Sequence, residues 1–219
     1  FKGQSSDAIR SECNERAVID AMREGVSTKG TWSGEYLIRR KDGSEFPALL
    51  TIDTFADSTL GEPRRVALIH DMTEKKRAEE VIWRQANFDP LTELPNRHMF
   101  YNRLRHEIAR ARQASTQLAL LFIDLDRFKE VNDTLGHHAG DELLIEFTRR
   151  ITNQLGPTDF LARLAGDEFA VVTVGHSEDD VIQLAHACVD AAAQPVTLNG
   201  LQLVVTASIG IAEISANAS

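Results

Sequence analysis

Hydrophobic and polar positions follow different rules in successive stretches of the chain, and each rule predicts different elements. Residues 1–30 are polar, with Ala17, Ile19 and Met22 at loosely helical spacing, which predicts a partly helical opening. From Thr31 the pattern changes to two β-prone runs, one ending in Glu35 to Arg40 and one from Glu45 to Ile52. Between them lies Lys41-Asp42-Gly43-Ser44, and Asp-Gly tolerates the positive φ angles of a tight turn, so a β-hairpin is expected. Arg65 to His70, after the turn signals Gly61 and Pro63, supplies a third strand. Three adjacent strands predict the back half of an antiparallel sheet.

A charged stretch from Glu74 to Gln85 comes next, with Ala78, Ile82 and Ala86 four residues apart and Val81 beside them. One side of this predicted helix is apolar, and Pro90 and Pro95 end it. The stripe suits a plain surface helix and a connecting helix paired with its twin in a dimer equally well.

From Asp89 the chain alternates α and β. Leu118 to Asp124 reads as a buried strand, followed by a short helix to Leu135 that Gly136 stops. Asp141 is expected to cap the next helix, whose buried stripe is Leu144, Phe147, Ile151 and Leu155. Asp159 to Leu164 and Phe169 to Val174 are strands joined by Ala165-Gly166-Asp167-Glu168. Ser177 with Asp180 forms a capping box for a helix with Val181, Leu184 and Cys188 on its inner face. Asn199-Gly200 marks another hairpin, and Leu203 to Ile211 a final strand. This order predicts an α+β fold with a ferredoxin-like sheet and helices on one face.

Charge and composition narrow the function. Among 219 residues, 33 are acidic and 24 basic, a net charge of −9 that argues against wrapping nucleic acid. The apolar run Leu118 to Ile123 is far too short to span a bilayer, and the polar opening carries no secretory signal. Two cysteines far apart in sequence, Cys13 and Cys188, read as isolated thiols and predict a reducing, cytoplasmic setting. Both ends read as the interior of a longer protein, which leaves membrane attachment of the parent open.

Candidate chemistry sits where carboxylates meet strand ends and tight turns. Asp124 follows an apolar strand, and Lys129 opens the next helix, where free backbone N–H groups favour an anion. Asp167 and Glu168 sit side by side on a hairpin tip and repel each other unless a cation compensates them. If the two strands are neighbours, Asp124 and Glu168 converge, and hard oxygen ligands of this kind favour Mg²⁺ shared with substrate phosphates. That is the logic of nucleotidyl transfer. Acidic strand ends and hairpin tips are also ordinary on soluble surfaces, so spacing alone leaves this open.

The same residues carry a family likeness. Arg163-Leu164-Ala165-Gly166-Asp167-Glu168-Phe169 resembles the GGDEF signature of diguanylate cyclases, with Ala165 in place of the first glycine. Asp89-Pro90-Leu91-Thr92-Glu93-Leu94-Pro95-Asn96-Arg97 resembles the family's opening motif, with Glu93 where glycine is more usual. Asp124 to Lys129, Asn132 to His137, Gly140-Asp141-Glu142 and Ser208-Ile209-Gly210 continue the likeness across about residues 87–212. The resemblance implies a nucleotidyl-cyclase or polymerase-palm type of sheet that joins two GTP into cyclic di-GMP, each protomer of a head-to-head pair holding one GTP. It implies Mg²⁺ or Mn²⁺ on Asp124, Glu168 and the Leu125 carbonyl, with Asp167 as general base or second-metal carboxylate. It implies phosphate contacts from the Arg127 and Phe128 amides and Lys129, guanine reading by Asn132 and Asp141, and His137 near the nucleotide. Asp126 is expected to face the other side of the strand and serve structure.

Residues 31–86 resemble the second half of a PAS sensor domain, through Trp32-Ser33-Gly34-Glu35, Arg40-Lys41-Asp42-Gly43 and the closing Asp71 to Lys76. The implied organisation is a partial PAS domain over 1–73, a signalling linker helix over 74–88 and a GGDEF domain over 89–219, truncated at its C-terminus. Dimerisation through the PAS part and linker is implied with it, the sensed ligand being unknown; His70 and Trp32 are expected to pack rather than bind a cofactor. The family's product-inhibition motif, Arg-x-x-Asp, is represented by Gly156-Pro157-Thr158-Asp159, which retains Asp159 and lacks the arginine. Strong feedback inhibition is therefore not expected. Without the family's C-terminal phosphate-binding helix, the fragment is expected to be weakly active or inactive. The competing expectation is a non-catalytic GTP-binding module that regulates an attached cyclic di-GMP phosphodiesterase domain; a pure dimerisation scaffold is a third.

Overall fold

The alternating run at 31–52 folds as the expected hairpin: β1 (Thr31–Arg39) and β2 (Glu45–Ala56) pair antiparallel, with Gly43 at φ 86° in the turn. The computed structural model describes residues 9–56 and 63–214, so Gly61 lies outside the described residues. β3 (Pro63–Asp71) pairs with β2 on the side away from β1, giving the sheet order β1-β2-β3. One face of this sheet packs on α1 (Arg16–Thr28), where Val18, Ile19 and Met22 close over Tyr36, Ile38, Ala48 and Leu50. Val18, not Ala17, completes the inner side of that helix.

Asp71 ends β3 and caps the helix after it. Hydrogen bonds from Thr73, then the Arg40 guanidinium, hold its carboxyl down at about 2. That helix, α2 (Thr73–Asn87), buries none of its residues; Val81, Ile82 and Trp83 are all exposed. The chain divides into two compact units between Ile82 and Trp83.

The second unit is a four-stranded antiparallel sheet in the order β5-β6-β4-β9. Its strands are β4 (Leu118–Leu125), β5 (Phe160–Ala165), β6 (Glu168–Val174) and β9 (Ala207–Ile214). The odd positions of β4 point to a layer made by α4 (Phe128–Leu135), α5 (His137–Thr152) and α6 (Glu178–Ala192). Leu143, Leu144, Phe147 and Ile151 of α5 and Val181, Ala185 and Cys188 of α6 form its buried stripes. A short hairpin of β7 (Val196–Leu198) and β8 (Leu201–Leu203) turns at Asn199-Gly200 as expected.

Several expectations need correction. Helices cover both faces, because α3 (Arg97–Ala114) packs Phe100, Leu104, Ile108 and Ala111 against Leu118, Leu120, Phe160 and Val172 on the opposite side. Its hydrophobic stripe is narrow in a strongly charged helix, which hid it from the pattern. The expected strand from Leu203 to Ile211 is split: β8 ends at Leu203, and β9 begins only at Ala207. Asp141 does not cap α5, which already begins at His137 after Gly136; Asp141 lies one turn inside.

The capping box at Ser177 and Asp180 is present, and Cys188 is fully buried. Burial, with the charge of Asp159 added, pushes the Cys188 thiol up to about 11. At the other end of α6, Arg150 donates to the carbonyls of Ala191, Ala192, Gln194 and Pro195, and also to Glu146. Hydrogen bonds from Arg149 and Arg150 overcome partial desolvation and hold the Glu146 carboxyl at about 2. Arg150→Ala strips several helix-end carbonyls of their donor and is expected to destabilise the domain by about 1–3 kcal/mol in denaturant unfolding. Because the Glu146 carboxyl is lowered, its contribution is complete above its ordinary range near 4.5 and fades as pH falls toward 2.

Candidate functional site

Period-two geometry puts the even positions of β4 on the α3 face, and α3 covers only the first two, Leu118 and Leu120. Beyond its reach the face opens: Phe122 is 44% exposed, and Asp124 follows it at the strand end. Glu168 begins β6 directly opposite Asp124, and Ser208 of β9 stands opposite Asp124 on the other side. Glu168, Asp124 and Ser208 therefore form one row across three strands. Asp167 sits at the tip beside them, and its carbonyl accepts the Leu125 N–H at 3.4 Å. Partial desolvation, then the charges of Asp167, Glu168 and Asp126, push the Asp124 carboxyl above the ordinary range. Among the described residues, no three His, Cys, Asp or Glu side chains form a ready-made metal cage. The predicted set has two side chains and the Leu125 carbonyl, and the mutual repulsion of its carboxylates is what a hard cation would relieve.

The next residues turn from strand to helix. Arg127 has φ 59° and ψ 23°, a left-handed conformation unusual for a side chain this large. Asp126 braces that turn: it accepts from Thr206 Oγ1 at 2.5 Å and Ser208 Oγ at 2.7 Å, and its N–H donates to the Thr206 carbonyl at 2.9 Å. Those two hydroxyls hold its carboxyl below the ordinary range. The first bond of α4 runs from Glu130 N–H to the Arg127 carbonyl, so the amides of Arg127, Phe128 and Lys129 precede it at the positive end of the helix. Lys129 is exposed beside them.

Asn132 and Asp141 lie on neighbouring helices, α4 and α5, joined by Gly136 at φ 86°. A Cβ at Gly140 would fall 2.0 Å from Asn132 Oδ1 and 3.3 Å from Phe128 Cζ, so the missing side chain is what seats Asn132. Asp141 is exposed next to Gly140, and His137 is exposed at the start of α5. Asp159 is elsewhere: its side chain is only 1% exposed and accepts from the Gly156 N–H at 2.8 Å. Its other oxygen is 3.3 Å from His176 Nε2. A carboxylate so enclosed, capping its own turn, is not presented to a ligand.

Two features escaped the sequence reading. Arg163 donates through Nη1 to Asp89 Oδ1 and through Nε to the Gly166 carbonyl, each at 2.9 Å, tying the opening motif to the hairpin tip. Half-burial opposes ionisation of Asp89, but hydrogen bonds from Thr92 and Arg163 outweigh it and hold that carboxyl low. Partners 74 residues apart leave no trace in spacing. The second is a pocket of about 460 Å³ on the open sheet face, with Phe122, Asp124 and Glu168 on its floor and Arg97 and Tyr101 on one wall.

Both signature departures have a local explanation. Glu93, in the turn from Asp89 to Leu94, has φ 57°, which is why glycine suits that position. Glu93→Gly is expected to raise stability by about 1 kcal/mol, read by thermal unfolding. Ala165 is exposed and outside the positive-φ set, whereas Gly166 has φ 50°; the methyl group of Ala165 meets no backbone penalty.

Comparison with known proteins shows the family. A family described as "Diguanylate cyclase, GGDEF domain" matches residues 86–219. Diguanylate cyclase TpbB of Pseudomonas aeruginosa is 45% identical over 130 residues, which cover 58% of this chain and 30% of that protein. The structure of an N-terminally truncated TpbB comprising only the GGDEF domain superposes with a TM-score of 0.56 at 44% identity, covering 57% of this chain and 74% of that one. The coiled coil and GGDEF domain of DgcB from Caulobacter crescentus, in complex with c-di-GMP, gives a TM-score of 0.61 at 28% identity over 67% of this chain and 78% of that one. The matched part spans less than a third of the length of the first curated relatives. With a family match over more than half its length, the chain belongs to the GGDEF-domain family of diguanylate cyclases.

Proposed function

We propose that this chain carries the cyclase part of a sensor-regulated diguanylate cyclase, which condenses two GTP into cyclic di-GMP and two pyrophosphates. The observation that carries the reading is the Asp124–Glu168 pair, in register across β4 and β6 and succeeded at once by the amide-rich start of α4. The Arg127 to Lys129 amides and the Lys129 ammonium hold GTP phosphates next to these carboxylates. Asn132 and Asp141 read the guanine edge: a carboxylate accepts from both N1–H and the 2-amino group, a donor pair adenine lacks. His137 lies by the nucleotide, and Phe128 packs beside Asn132.

Asp124, Glu168 and the Leu125 carbonyl would hold Mg²⁺ or Mn²⁺, which when bound polarises the α-phosphate and eases deprotonation of the attacking hydroxyl. Asp167, at the tip beside the pair, takes the proton of the 3′-hydroxyl or joins a second cation. Each new 3′-oxygen–phosphorus bond forms as the bond to pyrophosphate breaks, once per GTP. Two sites must therefore face each other, which calls for a homodimer.

Residues 1–73 serve as the closing half of a PAS sensor, and α2 as the linker that pairs two copies. The three-stranded sheet capped by α1 and the exposed Val81, Ile82 and Trp83 support that reading. No helix among the described residues is long and apolar enough to cross a membrane, and we place the cyclase part in the cytoplasm with its GTP. Incubating the full-length protein with GTP and Mg²⁺ and resolving the products by chromatography and mass spectrometry tests the reading. Cyclic di-GMP and pyrophosphate in a 1:2 ratio are expected; GTP binding without product would transfer the chain to the regulatory class.

A further inference from the structure

The helix that begins at the Asp126–Arg127 turn is thinly anchored. α4 has 8 residues and buries none of them fully. One side of it carries Asn132, seated against Gly140 of α5. On another side, Arg127, Glu130, Val131, Thr134 and Leu135 recur at intervals of three and four residues and line a cavity of about 370 Å³. Leu201 and Leu203 of β8, with Val204, Val205 and Thr206 leading into β9, form the facing wall. Val131, Leu135, Leu203 and Val205 belong to the core between the sheet and its helical layer, so this cavity lies on the sheet face away from α3.

We propose that this cavity is a regulatory site for a free α-amino acid with a branched apolar side chain, and that its occupancy strengthens nucleotide binding through α4. A volume of about 370 Å³ suits a small molecule of that size. Val131, Leu135 and Leu203 already pack on the core, whereas Leu201 is 54% exposed and Val204 62%. The fold thus leaves apolar surface on one wall for a guest to cover. Charge selects the guest. Of the three charged side chains on the rim, Asp126 is committed to the hydroxyls of Thr206 and Ser208. Arg127 and Glu130 remain, and neither forms an ion pair or a side-chain hydrogen bond among the described residues. Three residues apart on one helix, they offer one cation and one anion within a single turn. A fatty acid would be repelled by Glu130 and a simple amine by Arg127. An α-amino acid answers both, its carboxylate on the guanidinium fork and its ammonium on the Glu130 carboxylate.

The same rim braces the turn that opens α4. Arg127 is left-handed at φ 59°, and the Asp126 N–H donates to the Thr206 carbonyl. A guest wedged between α4 and the chain at Val204 to Thr206 holds that turn in place and lowers the cost of ordering it around phosphates. The regulatory half of the proposal rests on the reading of α4 as the GTP-binding helix; the amino-acid site itself does not.

Equilibrium dialysis of labelled L-leucine against the full-length protein tests the site, with isocaproate and isopentylamine as competitors that each lack one of leucine's charges. Saturable binding with a Kd on the order of 0.1–1 mM is expected. Each competitor should bind at least about tenfold more weakly, the loss of one charge-assisted contact. Leu201→Asp and, independently, Val204→Asp put a charge into the apolar wall and should weaken leucine binding at least about tenfold. Both positions are exposed, so melting temperature and basal cyclic di-GMP formation should stay near wild type. Saturating leucine should tighten calorimetric binding of a non-reacting α,β-methylene GTP analogue with Mg²⁺ about three- to tenfold, and the analogue should tighten leucine binding by the same factor. Absence of saturable leucine binding, binding untouched by both variants, or a competitor as strong as leucine would overturn the proposal. Leucine binding that leaves analogue affinity unchanged overturns the regulatory role. If leucine binds through this wall but the GTP analogue does not bind at all, the amino-acid site stands and the cyclase reading fails.

Discussion

Exchanging Glu168 for glutamine is expected to cut cyclic di-GMP formation by on the order of 10²–10³-fold while leaving the fold intact. Glutamine keeps the shape of the side chain, and the residue is exposed at the start of β6, so no core contact is lost. What disappears is one of the two side-chain charges that meet at the β4–β6 edge. The Asp124 carboxyl is raised by desolvation and then by Asp167, Glu168 and Asp126. A raised carboxyl binds its proton more readily in the folded state, so its ionisation costs stability at pH above its folded titration, and the cost vanishes as pH falls through it. Removing the Glu168 charge removes part of that cost. Glu168→Gln should thus melt at or slightly above the wild-type temperature near neutral pH, with the two curves meeting in acid. Thermal unfolding across about pH 4 to 8 and a product assay check both halves. Retained turnover would rule out Glu168 as a reaction-site carboxylate, and a lower melting temperature near neutral pH would contradict the repulsion assigned to this edge.

The second large effect is expected from a single methyl group. Gly140→Ala would bring a Cβ to 2.0 Å from Asn132 Oδ1 and 2.9 Å from its Cγ. Real atoms do not approach so closely, so Asn132 must swing away, and Phe128 at 3.3 Å restricts where it can go. With Asn132 displaced, the guanine edge loses a fixed partner, and the KM for GTP should rise about ten- to hundred-fold. Because Gly140 is helical and its substitution also removes glycine's entropic cost, stability is expected to change much less than binding. Calorimetry with GTP, alongside denaturant unfolding, separates the two. Equal GTP affinity in wild type and variant would show that Asn132 does not read the base.

Legibility in the sequence tracked the range of the interactions involved. The β1–β2 hairpin, the Gly136 stop and the Ser177–Asp180 capping box are local, each encoded within a few residues, and each stands where the pattern put it. Asp124 and Glu168 were readable as a pair only on the condition that β4 and β6 are neighbours, a condition the sheet order meets. α3 was missed because Phe100, Leu104, Ile108 and Ala111 form a thin stripe among arginines and histidines. Asp141 misled because an aspartate after a glycine looks like a cap, whereas Gly136 had already started the helix. The Arg163–Asp89 tie and the Arg97–Tyr101 wall were invisible for another reason. They depend on which strand ends α3 leaves uncovered and on which loops fold back to them, and no short window contains that information.

The two cysteines differ in a way that matters at the bench. Cys188 is sealed in the core with its thiol raised to about 11, so almost no thiolate forms at neutral pH. Cys13 is exposed on the other compact unit. Among the described residues, a maleimide dye added to the native protein therefore has one addressable position. Fluorescence from that label reports on the first unit alone, while nucleotide is added to the second, so any change in signal is a direct reading of communication between them.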